Sequence, residues 1–127
     1  MEKVAITSEK APKAIGPYSQ AVKVGSFIYC SGQIPIDPQS TKLISADLVE
    51  QSRQVLKNIK ALLEDCGLAM SSIVKTTIFL TDMDHFNTVN EIYNEFFKAP
   101  FPARSTVAVS ALPMKALIEI ECIAQCD

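Results

Sequence analysis

Residues 47–67, DLVEQSRQVLKNIKALLEDCG, decide the architecture. Leu48, Val55, Leu56, Ile59, Leu62, Leu63 and Cys66 recur at helical spacing and form one apolar stripe, while Arg53, Lys57, Lys60 and Glu64 fall elsewhere on the wheel. Asp47 with Glu50 predicts a capping box at the start, and Gly67 predicts a left-handed residue just past the end. A helix over 47–66 with one apolar face must bury it against another layer. The flanking sequence supplies that layer. Residues 73–80, IVKTTIFL, are rich in β-branched side chains and read as a strand. Asp84 is placed to cap a second helix carrying Phe86, Val89, Tyr93, Phe96 and Phe97 on one face, which Pro100 and Pro102 stop. Residues 105–109 and 116–125 read as two last strands joined through Leu112-Pro113. Upstream, 2–7 reads as a strand and 11–17 as a loop, because two prolines and a glycine interrupt it. Residues 18–24 and 27–34 read as a hairpin turning at Gly25-Ser26 and ended by Pro35. The sum predicts one α+β domain over 1–127: a mixed sheet of about six strands with two helices on one face. The uncovered sheet face is the natural place for self-association.

Bulk properties narrow the function. A chain of 127 residues supports a hydrophobic core without disulfides or metal. Its 48% apolar composition is high enough to suggest contact between copies. Net charge is −2 and no run of Lys or Arg forms a stripe, so the electrostatic term that dominates nucleic-acid binding is missing. The first residues lack a basic segment followed by a long apolar one, and no apolar run nears the ~20 residues needed to span a bilayer. A cytoplasmic protein is the expectation. Cys30, Cys66, Cys122 and Cys126 contain no C-x-x-C pair, and the last two would lie about 13 Å apart along a strand. Buried, reduced thiols are expected.

The side-chain inventory excludes several chemistries. His85 is the sole histidine, near the start of the second helix, and reads as a solvated first-turn residue. No Ser or Cys nucleophile has a base beside it, no spacing resembles a zinc motif, and the four glycines form no phosphate-binding loop. Neither metal nor cofactor is expected. Arg104 enters a strand from a proline-broken loop. A single arginine there is commonly a solvated strand end, whereas its functional use is a planar fork that clamps a carboxylate. In Ile118-Glu119-Ile120-Glu121-Cys122, the two glutamates share one strand face. They form either a solvated outer face or a subunit boundary at which one of them handles water. Tyr18 follows a rigid loop, and Ser31-Gly32 offers a hydroxyl beside a backbone that a ligand can approach closely.

Taken together, residues 14–21 (AIGPYSQA), 31–34 (SGQI), 74–77 (VKTT), 86–90 (FNTVN), 101–105 (FPARS) and 118–121 (IEIE) closely resemble the reactive-intermediate deaminase A family, also called the Rid or YjgF family. The likeness runs through the whole chain in order. It implies a chorismate-mutase-like α+β fold assembled as a homotrimer with clefts between subunits. It further implies cofactor-free hydrolysis of 2-aminoacrylate and related 2-imino acids, the products of pyridoxal-phosphate dehydratases, to 2-keto acids and ammonia. By position, Arg104 would hold the substrate carboxylate and Glu119 the attacking water, while Tyr18, Ser31, Gly32 and Asn90 would line the pocket. Thr106 stands where many relatives have a cysteine, and its backbone can still donate a hydrogen bond. The partners implied are small 2-imino or 2-keto acids and further copies of the chain, without membrane or nucleic acid. Two rivals stand beside this reading: a non-catalytic carboxylate-binding regulator on the same scaffold, and an RNA-directed translation inhibitor.

Overall fold

The structure is a computed structural model and describes residues 1–126. Its strands are β1 (Val4–Ile6), β2 (Ala21–Val24), β3 (Phe27–Gln33), β4 (Ile73–Leu80), β5 (Ala103–Ala108) and β6 (Ile118–Gln125); its helices are α1 (Leu48–Glu64) and α2 (Phe86–Phe96). The six strands form one sheet in the order β1-β2-β3-β6-β4-β5. All neighbours run antiparallel except β4 and β5, which run parallel with α2 crossing between them. The α+β expectation holds, with a mixed sheet and both helices on one face. Ile28, Cys30, Thr76, Ile78, Leu80, Ile118, Ile120, Cys122 and Ala124 turn toward the helices and are buried. Val55, Leu56, Ile59, Leu62 and Leu63 of α1 meet them, each worth about 1.5–3 kcal/mol of burial. Among the described residues no helix is long and apolar enough to cross a membrane.

The caps differ in detail from the sequence reading. Asp47 accepts from the Glu50 N–H at 2.9 Å, but the return half of a capping box is absent: Ser45 Oγ, not Glu50, takes the Asp47 N–H. At the other end, Leu68 N–H bonds Leu63 C=O and Gly67 N–H bonds Glu64 C=O, closing a Schellman turn around Gly67 at φ 75°. Before α2 it is Asp82, not Asp84, that caps. Its carboxylate accepts from the Asp84 N–H and starts a 3-10 turn, Met83–His85, that feeds the helix. His85 is half-buried rather than solvated, and its Nδ1 is enclosed without a hydrogen-bond partner. Tyr18 belongs to the loop before β2, β5 starts at Ala103 instead of residue 105, and Ile92 joins the apolar face of α2. Phe97 lies beyond α2 in extended backbone and stacks on Tyr93 with ring centroids 4.3 Å apart. All four cysteines are free thiols, with Cys30 and Cys122 buried directly across β3 and β6.

Three buried amides in this core pin the loops. The Gln51 side chain donates to Ser45 C=O and accepts from Leu117 N–H, both at 2.8 Å. Asn58 donates to Ile36 C=O at 2.9 Å. Gln20 accepts from Ser8 N–H and donates to Ser8 and Pro12 carbonyls, which gathers residues 8–20 against the sheet.

Gly67 has open space around its Cα, so an added methyl would meet only the backbone penalty. Gly67→Ala is expected to lower stability by about 1 kcal/mol, with Gly67→Asn costing less, read from urea midpoints at fixed protein concentration.

Candidate functional site

The candidate residues fall into two groups, and Arg104 and Glu119 lie on opposite faces of the sheet. Along β4 the residues alternate, with Thr76 and Ile78 toward the helices and Thr77 and Phe79 toward the open face. Arg104 pairs with Thr76 and Thr106 with Ile78, so both belong to the helix-facing side of edge strand β5. Glu119 pairs with Phe79 and lies on the open side. One chain alone therefore does not bring the guanidinium to the carboxylate.

The first group surrounds a cavity of about 520 Å³ between α2 and the start of β5, lined by Asn90, Tyr93, Phe101 and Arg104 among others. The Arg104 guanidinium carbon sits 4.9 Å from the centre of the Tyr93 ring and 5.6 Å from that of Phe86, a cation–π arrangement that orients the fork without neutralising it. Tyr93 is itself fixed by a 2.9 Å bond between its hydroxyl and Thr76 Oγ1. Burial raises the Tyr93 pKa, against the opposing effects of that bond and of the Arg104 charge, so the phenol stays neutral beside the cation. The ion pairs among the described residues are Lys10–Asp65 and Arg53–Glu95, and Arg104 is in neither. Its planar fork of donors is of the kind that can take a carboxylate.

The second group surrounds a cavity of about 480 Å³ that includes Tyr18, Ser31 and Gly32. A bulge puts Ser31 and Gly32 there. Cys30 opposes Cys122 and Gln33 opposes Ile120, so Ser31 and Gly32 together stand against Glu121 alone. The extra residue restores Gln33 to the buried face and swings Ser31 toward the cavity. Ser31 Oγ donates to Ser19 C=O at 2.6 Å, which leaves its lone pairs as acceptors for a ligand N–H. The Tyr18 hydroxyl accepts from Ile15 N–H at 3.3 Å and keeps its own proton to donate.

Glu119 lies across Gly32. A methyl built on Gly32 would stand 2.8 Å from the Glu119 carboxyl carbon, so only glycine lets the carboxylate settle on this backbone. Burial first, and the Glu121 charge on the same face second, raise the Glu119 pKa. A carboxylate so perturbed, resting on a glycine that lines the second cavity, suits proton transfer. Among the described residues no group of three or more His, Cys, Asp or Glu could hold a metal ion.

Fold and cavities define a class: small α+β domains with a half-covered mixed sheet and largely apolar pockets carrying a few polar groups at its margins. The family described as "Endoribonuclease L-PSP" matches residues 8–126. The human 2-iminobutanoate/2-iminopropanoate deaminase is 51% identical over 119 residues, covering 94% of this chain and 87% of that protein. A Rid-family protein of Yersinia pestis superposes with TM-score 0.95 at 53% identity, covering 98% of this chain and 99% of that one. E. coli TdcF, solved with bound serine, superposes with TM-score 0.92 at 44% identity, covering 97% and 98%. The chain belongs to this Rid (YjgF, L-PSP) family.

The sequence reading missed three contributors. Tyr93 and Phe86, taken as core, also support Arg104, and Met114 lines the second cavity. The aromatic spacing of α2 was visible, but its relation to Arg104 needed the parallel β4–β5 pairing. Replacing Gly32 with Ala is expected to displace the Glu119 carboxylate and move its pKa, while changing unfolding stability by less than about 1 kcal/mol, because the displaced group is a flexible side-chain end. Titration of Glu119 by NMR in both proteins measures the shift.

Proposed function

We propose that the protein hydrolyses small 2-imino acids, among them 2-iminopropanoate with its enamine tautomer 2-aminoacrylate, and 2-iminobutanoate. The products are 2-keto acids and ammonia. The site is a cleft between copies of a cytoplasmic homotrimer, where Arg104, Asn90 and Thr106 of one subunit face Tyr18, Ser31, Gly32 and Glu119 of the next. The observation that carries this is the unpaired Arg104 guanidinium lining the first cavity on one face of the sheet and, on the other face, the pKa-raised Glu119 against Gly32, which lines the second. Support also comes from the deaminase name of the human relative and from the amino acid bound in the E. coli relative.

In this reading Arg104 takes the substrate carboxylate through two parallel hydrogen bonds and fixes C2. Ser31 accepts from the imine N–H, and Glu119 holds a water over C2. The water oxygen adds to C2 of the protonated imine as one of its protons passes to Glu119 and the C=N electron pair moves to nitrogen, which gives a neutral carbinolamine. Glu119 then returns the proton to nitrogen. The remaining hydroxyl closes to C=O as the C–N bond breaks, and ammonia leaves with the hydroxyl proton. An imine carbon is already electrophilic, so positioning and one general base suffice, the base contributing about 10²–10⁴-fold. Some relatives carry endoribonuclease names. A net charge of −2 without a basic stripe does not supply the phosphate contacts such a role needs.

Arg104→Ala is expected to lower kcat/KM roughly thirtyfold or more, because a buried carboxylate loses its charged partner. Clearance of dehydratase-generated iminobutanoate measures it, and unchanged clearance contradicts the role. Glu119 must be ionised to accept a proton. Its raised pKa therefore makes kcat/KM fall on acidification while the pH is still above the ordinary carboxylate range. Glu121→Gln, by removing the second cause of that shift, is expected to move this acidic limb to lower pH.

A further inference from the structure

Two large apolar side chains at the second cavity have no part in that reaction. Met114 is 51% and Ile15 is 83% exposed, yet both line the same cavity as Ser31 and Gly32. Both sit on restrained chain. Met114 and Lys115 are consecutive non-glycine residues in left-handed backbone, at φ 57° and 59°. A relaxed turn would carry Gly or Asn at such positions. The loop is held on both sides: Ala116 N–H bonds Pro113 C=O at 3.2 Å, and Leu117 N–H bonds the buried Gln51 of α1 at 2.8 Å. Across the cavity, the Ile15 N–H is taken by the Tyr18 hydroxyl, and Tyr18 N–H bonds the carbonyl of Gly16, itself at φ 122°. Backbone strain held beside a cavity by surrounding hydrogen bonds, as at Met114, is found at ligand clamps. The wall continues into Ile34 and Ile36, whose loop Asn58 pins to α1.

We infer that Met114 and Ile15 determine specificity by receiving the substrate's side chain beyond C3, so that the site selects 2-imino acids with apolar chains of three or four heavy atoms over the methyl-bearing one. This rests on the imine-hydrolase reading. Arg104 and Glu119 engage the carboxylate and C2, which every 2-imino acid shares, so discrimination falls to whatever meets the remaining chain. An unbranched thioether adapts to straight and branched occupants alike, and the opposing isoleucine closes the other side.

The test generates imines in situ from leucine and from alanine with a flavin amino-acid oxidase and follows their clearance in competition with semicarbazide. The wild-type protein is expected to favour the leucine-derived imine about tenfold or more in kcat/KM, the scale on which an apolar pocket discriminates methylene groups. Met114→Ser, and independently Ile15→Ser on the other rim, should cut the leucine-to-alanine ratio about tenfold, while Met114→Leu retains it. An equal fall for both imines, or an unchanged ratio in variants that keep the wild-type oligomeric mass, overturns the inference. Should the wild type clear neither imine, the hydrolase reading itself fails; should it clear both without preference, only the specificity assignment does.

Discussion

Side chains on a pleated strand point alternately to its two faces, and this alternation is the constraint from which the rest follows. Through β4 it assigns Arg104 to the helix-covered side and Glu119 to the open side. The two groups best suited to bind and hydrolyse an organic acid therefore cannot meet within one chain. Each has its own preparation. Arg104 lies over two aromatic rings with no acid to neutralise it, and Glu119 rests on a glycine with its proton held more tightly than usual. The proposed cleft joins these halves across a subunit boundary. It also gives a purpose to an open sheet face bearing Phe27, Tyr29 and Val107, all of them exposed in the single chain.

The core and the candidate site are coupled through α1. Its apolar stripe anchors the sheet, while Gln51 and Asn58, buried in the same helix, hold the loops that bring Met114, Ile34 and Ile36 to the second cavity. Buried amides are costly unless satisfied, and here each is bonded to backbone that would otherwise be free to move. The helix thus positions loops more than it presents chemistry of its own.

Much of this was legible in the sequence. The helical period over 47–67 and the β-branched run over 73–80 specified α1 and β4 closely, because burial and local propensity agree there. The alternation over 118–122 correctly assigned the faces of β6. Where tertiary pairing overrode local signals, the reading slipped. β5 begins immediately after Pro102 because parallel pairing with β4 reaches Ala103, and Tyr18 leaves its expected strand because Gly16 and the Gln20 amide fold that segment into a loop. Asp82 and Asp84 are equivalent as sequence; only the 3-10 turn distinguishes them. Gln51 and Asn58 recur within the apolar spacing of α1, the one signal that they would be buried. Arg104, Glu119, Tyr18, Ser31, Gly32, Asn90 and Thr106 were singled out by motif resemblance, and no local pattern would have put Arg104 and Glu119 on different faces, since that needs the register between strands.

The claim that one site draws on two chains is tested most directly by mixing defects. Arg104→Ala and Glu119→Gln subunits, each expected to be strongly impaired alone, are co-refolded or co-expressed at equal amounts, with mixed assemblies verified by mass. The account predicts recovery of about a quarter of wild-type imine clearance, because random mixing leaves that share of clefts with both functional halves. Mixed assemblies that stay as inactive as either parent would contradict it.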